Sequence, residues 1–122
     1  MITSTMWKLK GGADDAPSLG EFEQLVLLAL VRLGEEAYGA TIRREIEART
    51  GRELSVSAVY TTLDRLEQKG IVRSWIGEPT AARGGRRRKH VALEPAGARA
   101  LRQVYRGFQA MVHGLEGRLE RL

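Results

Sequence analysis

The sequence predicts a mainly α-helical chain with one small β-hairpin and a long C-terminal helix. Three observations carry that prediction. Between Gly20 and Lys69, apolar residues recur at helical spacing in three segments, each closed by a capping residue or a glycine. Two short apolar runs, Ile71 to Ile76 and His90 to Leu93, flank a loop rich in Gly and Arg. From Leu101 to Leu122 the apolar residues recur at alternating intervals of four and three.

Each element has its own signal. The first helix is expected from about Gly20 to Leu33, with Gly34 as its stop. Phe22, Leu25, Val26, Leu27, Leu28, Ala29, Leu30, Val31 and Leu33 make it apolar on nearly every face, the mark of a helix covered on all sides. One small domain covers only part of such a helix. A subunit interface is therefore expected along Phe22, Val26 and Leu30. The second helix, about Tyr38 to Arg49, ends at Gly51 and has a single stripe, Ile42 and Ile46. The third starts on the N-cap Ser55 and runs to Lys69, with Gly70 as its stop. Its expected buried stripe is Val56, Val59, Leu63 and Leu66. Ser57, Thr61 and Arg65 share another face at intervals of four, with Ala58, Tyr60 and Asp64 beside them.

The final helix is expected to open at Pro95, a residue suited to a first helical position, and to continue to the end of the chain. Leu101, Tyr105, Phe108, Val112, Leu115, Leu119 and Leu122 form a heptad seam over about three heptads. Gly107, Gly114 and Gly117 weaken it by roughly 1 kcal/mol each relative to Ala. Such a helix needs a partner to hold it. The expected division is a flexible arm over residues 1–18, a helical domain with its hairpin over 19–94, and a dimerisation helix over 95–122.

Composition narrows the function. The chain has 122 residues, 43% of them hydrophobic, which suits one globular domain. It has no cysteine, so it has neither a disulfide framework nor a thiolate metal site. No apolar run approaches the ~18 residues that span a bilayer, and residues 1–18 lack the apolar stretch of a signal peptide. A cytoplasmic location is expected. The net charge is +5, and the stretch from Arg83 to His90 holds five basic residues and no acid. All of the excess therefore sits in one short loop, as phosphate binding requires.

An enzyme finds little support. His90 and His113 are the only histidines, and they stand at no metal-ligand spacing. No Ser–His–Asp order with a Gly-rich elbow is present, and Gly84-Gly85 is too short to cradle a phosphate. No cofactor is expected.

Helix, helix, helix, strand, basic loop, strand, long helix is the order of a winged helix-turn-helix with an added C-terminal helix. The residues resemble the PadR family of regulators in four places. These are Leu25-Val26-Leu27-Leu28-Ala29-Leu30 followed by Tyr38-Gly39; the run Ser55 to Gly70 with its Leu63-Asp64-Arg65-Leu66-Glu67 core; Gly84-Gly85-Arg86-Arg87-Arg88-Lys89; and Leu93-Glu94-Pro95-Ala96-Gly97. The resemblance covers about Leu19 to Leu122. It departs at Val56 and Ser57, where many members have proline and glycine. It implies a repressor of the short-tailed subgroup, whose last helix crosses to the first helix of a partner chain and which has no separate effector domain.

On that reading, Arg86, Arg87, Arg88 and Lys89 are the expected phosphate binders. Ser57, Ala58 and Thr61 are expected at base edges, Tyr38 and Tyr60 near the backbone, and Arg65 at the same surface. Duplex DNA is the expected partner, bound by a homodimer on a pseudo-palindromic site with half-sites about 34–36 Å apart. Two alternatives remain open at this point: a winged-helix module for protein contact, and one for non-specific nucleic-acid binding. The resemblance also leaves room for a small aromatic effector walled by Trp75 and Phe108, with an ordinary core place for both rings as the alternative.

Overall fold

The computed structural model describes residues 18–78 and 87–122. The elements follow the expected order: α1 Glu21–Leu33, a single 3-10 turn Gly34–Glu36, α2 Gly39–Thr50, α3 Val56–Gln68, β1 Val72–Ile76, β2 Lys89–Leu93, α4 Pro95–Val112 and α5 Glu116–Glu120. The fold is mainly α with a two-stranded antiparallel hairpin.

Local chemistry sets the boundaries. The Ser55 hydroxyl accepts the Ala58 N–H at 3.1 Å and starts α3. At the start of α2 the Tyr38 N–H donates to the Thr41 hydroxyl at 3.1 Å. Gly51 closes α2 with φ near 74°, a left-handed conformation that costs glycine nothing.

The core lies where α1, α2, α3 and the hairpin meet. Leu27, Ile42, Leu66, Ile71, Val26 and Val59 are its largest fully buried side chains. From α1 it takes Glu23, Val26, Leu27 and Leu30, the i, i+3, i+4, i+7 stripe of one helix face. This corrects the expected interface on α1. Val26 and Leu30 are packed inside their own domain and are not available to a second chain. The outward apolar residues of α1 are instead Leu28 and Val31, which are 49% and 55% exposed. Val56 corrects the α3 stripe in the same way: it is exposed, and Thr62 takes the buried place beside Val59, Leu63 and Leu66.

The hairpin pairs Val72 with Leu93 and Ile76 with Lys89 at its two ends. β2 is joined on its other side as well. The Val91 N–H donates to the Ala37 carbonyl at 3.0 Å, and Tyr38 bridges to His90. The segment entering α2 is thus stitched to the root of the hairpin.

α4 is held by very little. Of its residues only Gly97 and Ala100 are buried. Gly97 presses on the backbone of Ile71, where a Cβ would stand 2.2 Å from the carbonyl oxygen. The expected unbroken helix to Leu122 is also corrected. It stops at Val112, turns through Gly114 at φ near 86°, and resumes as the short α5. The heptad seam is therefore one continuous stripe only as far as Val112.

One buried ion pair joins the two ends of the helical core. Lys69, which caps α3, donates to Glu23 of α1 at 2.8 Å and to the Ser18 carbonyl at 3.1 Å. Glu23 also accepts the Gly20 N–H at 2.8 Å. Burial alone pushes the Glu23 carboxyl up. The bonded Lys69 ammonium, the Gly20 N–H and the Arg65 charge outweigh burial and hold it below the ordinary value. Its folded value lies below its unfolded one. Its stabilising contribution is therefore full above pH ~4.3 and lost as pH falls through the lower, folded value. Glu23→Gln is expected to cost about 1–3 kcal/mol at neutral pH and to flatten the acid limb of the stability curve. Urea melts at pH 7 and pH 3.5 test this, and an equal loss at both would refute it.

Candidate nucleic-acid interface

The exposed face of α3 is polar and borders the root of the wing. Ser57, Ala58, Thr61 and Arg65 all lie on its solvent side, so the fold brings these four candidates together. The reason is the helical period: Val59, Thr62, Leu63 and Leu66 fill the core, which turns the 57, 61 and 64/65 positions outward. Ser55 holds the first turn, leaving the start of the helix open to solvent.

Tyr60 is 41% exposed and lies across the start of α2. A Cβ on Gly39 would stand 2.5 Å from the ring carbon Cζ of Tyr60, so the missing side chain at Gly39 is what lets the ring approach. Tyr38, which the sequence leaves open between a core ring and a backbone contact, takes the core place. Its ring is buried, edge-on to His90 with centroids 5.7 Å apart, and the Arg88 guanidinium sits 4.9 Å above it. Tyr38 thus lies beneath a wing cation rather than on the outer face.

At the wing root Arg87 and Lys89 are exposed and Arg88 is half-buried. The Arg88 carbonyl accepts the Gly77 N–H at 2.8 Å, which closes the base of the loop. Arg86 lies outside the described residues, as does most of the arm. Arg87, Arg88 and Lys89 are thus three consecutive cations at the wing root, of which Lys89 borders α3 and Arg88 lies over Tyr38. Of the two acids here, Asp64 stands 3.9 Å from Lys89 Nζ, whereas Glu67 accepts the Ser74 hydroxyl of β1 at 2.8 Å. Asp64 is a central residue of this face that sequence reasoning noted only as a neighbour. Its interval of seven from Ser57 was the available signal.

The expected interface residues divide. Tyr105 and Phe108 are 59% and 70% exposed, and Leu115 and Leu119 are exposed beyond the break. Leu101 and Val112 are half-buried, and so is Phe22, whose ring lies beneath Arg52 at 5.7 Å. Met111, one turn beyond Phe108, extends the same exposed strip and was missed.

Trp75 stacks on His90 with ring planes 16° apart. It borders an open groove of about 610 Å³ whose walls include Leu30, Val31, Arg73, Val91 and Leu93; Phe108 does not line it. The two aromatics expected to share an effector wall are not brought together within one chain. Among the described residues, no helix is long and apolar enough to cross a membrane.

A family model described as the transcriptional regulator PadR-like family matches residues 27–103. Among solved structures, the chain is similar to a PadR family transcriptional regulator from Eggerthella lenta, with 25% identity, 98% of this chain and 92% of that one covered, and a TM-score of 0.58. It is similar to hsRosR-SG in a complex structure, with 30% identity, 88% of each chain covered, and a TM-score of 0.61. A transcriptional regulator from Clostridium thermocellum, 23% identical over 78% of this chain and 89% of that one, shares the fold with a TM-score of 0.60. Among curated proteins, none matches the chain.

Proposed function

Because the chain belongs to the PadR-like family of transcriptional regulators, DNA-binding proteins that are not enzymes, we propose that it is a cytoplasmic repressor that binds a pseudo-palindromic operator as a homodimer. The observation that carries this reading is the polar, solvent-facing side of α3 lying beside the cations of the wing root. Residues 19–94 form the DNA-binding unit in this reading, residues 95–122 make the dimer, and residues 1–18 form an arm.

The chemistry divides in the usual way. Phosphate contacts set register, and base contacts carry sequence. Arg87 and Lys89, together with Arg86, neutralise phosphates. Arg88 is spread over Tyr38, so Tyr38 acts as a positioning residue that holds this cation at the wing root. Ser57, Ala58 and Thr61 meet base edges, where the Ala58 methyl or the Thr61 methyl packs on a thymine methyl. Tyr60 and Arg65 flank them toward the backbone.

The dimer reading rests on α4. Its strip of Tyr105, Phe108 and Met111 is 59–76% exposed among the described residues, an apolar surface of the kind that marks an interaction site. The outward Leu28 and Val31 of α1 are the complementary apolar surface. Crossing α4 onto α1 of a second chain would be self-complementary under a two-fold axis, and binding a pseudo-palindromic site requires that the dimer hold its two α3 helices about 34–36 Å apart. The groove beside Trp75 is the site we assign to a small aromatic effector.

The test is fluorescence anisotropy on the duplex upstream of the protein's own gene, over a salt series, with a scrambled duplex as competitor. Selective binding with two chains per site is expected, with log K falling linearly with log salt. Equal, weak binding to both duplexes would replace this reading with a non-specific or protein-binding module.

A further inference from the structure

One acid stands in the middle of the surface that has to approach DNA. Ser57, Thr61, Asp64 and Gln68 follow one another at intervals of four, three and four, a single exposed stripe along α3. Asp64 is 66% exposed on this stripe. The other acid nearby, Glu67, is turned aside and bonded to Ser74. Among the described residues, Asp64 forms an ion pair with Lys89 of β2, at 3.9 Å.

Resting on the DNA-binding reading above, we infer that Asp64 sets the selectivity of this interface. Two physical effects act in the same direction. The Asp64 carboxylate draws Lys89 toward α3, so Lys89 gives up part of its reach to phosphate. The carboxylate also has acceptors only. It is satisfied by the amino group of cytosine or adenine and repelled by guanine O6 and N7 and by phosphate. A duplex with an amino group beneath Asp64 relieves the repulsion and releases Lys89. A duplex without one keeps both penalties. Specificity is a difference of affinities, and a repulsive group is a direct way to enlarge that difference.

The experiment uses the full chain and two 30-base-pair duplexes: one selected by the wild-type protein from a random pool, and its scrambled counterpart. Asp64→Asn keeps the shape and removes the charge at an exposed position, and a thermal melt verifies its fold. The variant is expected to bind the scrambled duplex on the order of fivefold tighter, with a log K versus log salt slope steeper by about 0.9, the signature of one added phosphate contact. The ratio between selected and scrambled duplex narrows accordingly. In a Lys89→Met background the Asn substitution should no longer change the slope. If Asp64→Asn leaves both affinities and the slope at wild-type values while the wild type remains selective, the assignment to Asp64 is overturned and the DNA reading stands. If the wild type selects no duplex at all, both fall together.

Discussion

Replacing Gly97 with alanine should lower the melting temperature by about 10 °C, a loss of about 3 kcal/mol. Helix propensity argues the other way, since alanine is better than glycine in a helix interior by about 1 kcal/mol. Contact distance decides which effect wins. The added Cβ would lie 2.2 Å from the Ile71 carbonyl oxygen and 2.9 Å from Leu93 Cδ1. The Leu93 methyl can rotate away, but the carbonyl cannot. It accepts the Glu94 N–H at 2.9 Å, and the N–H of the same residue is bonded to Leu66 at 2.9 Å. Ile71 is also fully buried. The helix must therefore lift off the hairpin, taking Ala100 with it. Gly107 is the control, because nothing lies within 4 Å of a Cβ there. Gly107→Ala should be neutral or stabilising by up to about 1 kcal/mol. Calorimetry on the two variants compares them directly, and equal melting temperatures would show that the Gly97 contact relaxes without cost.

Phe108→Asp should separate the proposed dimer and weaken operator binding by about 100-fold, because two linked half-sites gain 10²–10⁴ over one. Phe108 is 70% exposed, so its own domain loses nothing when it is changed. A charge placed on an apolar seam faces desolvation without a partner. Sedimentation velocity should show a fall from two chains to one, with circular dichroism unchanged. A variant that stays dimeric would move the interface away from α4. A monomeric wild type would end the two-fold model of operator binding.

Much of this fold was legible because its helix ends are chemically marked. Ser55, Gly51 and Pro95 each do one local job, and the elements begin or end within a residue of them. The hairpin was legible for the same reason, as two short apolar runs around a Gly/Arg loop. Facing was harder. α1 is apolar nearly all round, so periodicity cannot say which side belongs to its own core. Val26 and Leu30 were placed at the interface when Leu28 and Val31 are the outward pair. Val56 misled because an apolar residue in the first turn of a helix has little of its own domain to pack against. The break at Gly114 was hidden by a spacing of leucines that continues through it. At the candidate site, the polar stripe of α3 could be read directly. For Tyr38 the sequence left a core ring and a backbone contact both open, and what decides for burial is its pairing with a strand more than fifty residues later in the chain. Asp64 was passed over for its sign: an acid does not look like a residue that meets DNA.

The stitching of Ala37 and Tyr38 to β2 has a consequence for how this protein behaves when crowded. A strand with one unpaired side offers a template on which another chain can add, and such growth has no natural stopping point. β2 is paired on both sides. β1 keeps the open side among the described residues, and it is a poor template. It is five residues long, it carries Arg73, and that side chain is drawn across the hairpin to the Leu93 carbonyl and to Glu94. Trp75 and Ile76 are exposed at its far end, but with too short a run to seed a sheet. Strand edges, where association runs on into fibres, are thereby closed off, which leaves the helix faces for the proposed two-fold contact, one that closes on itself and stops.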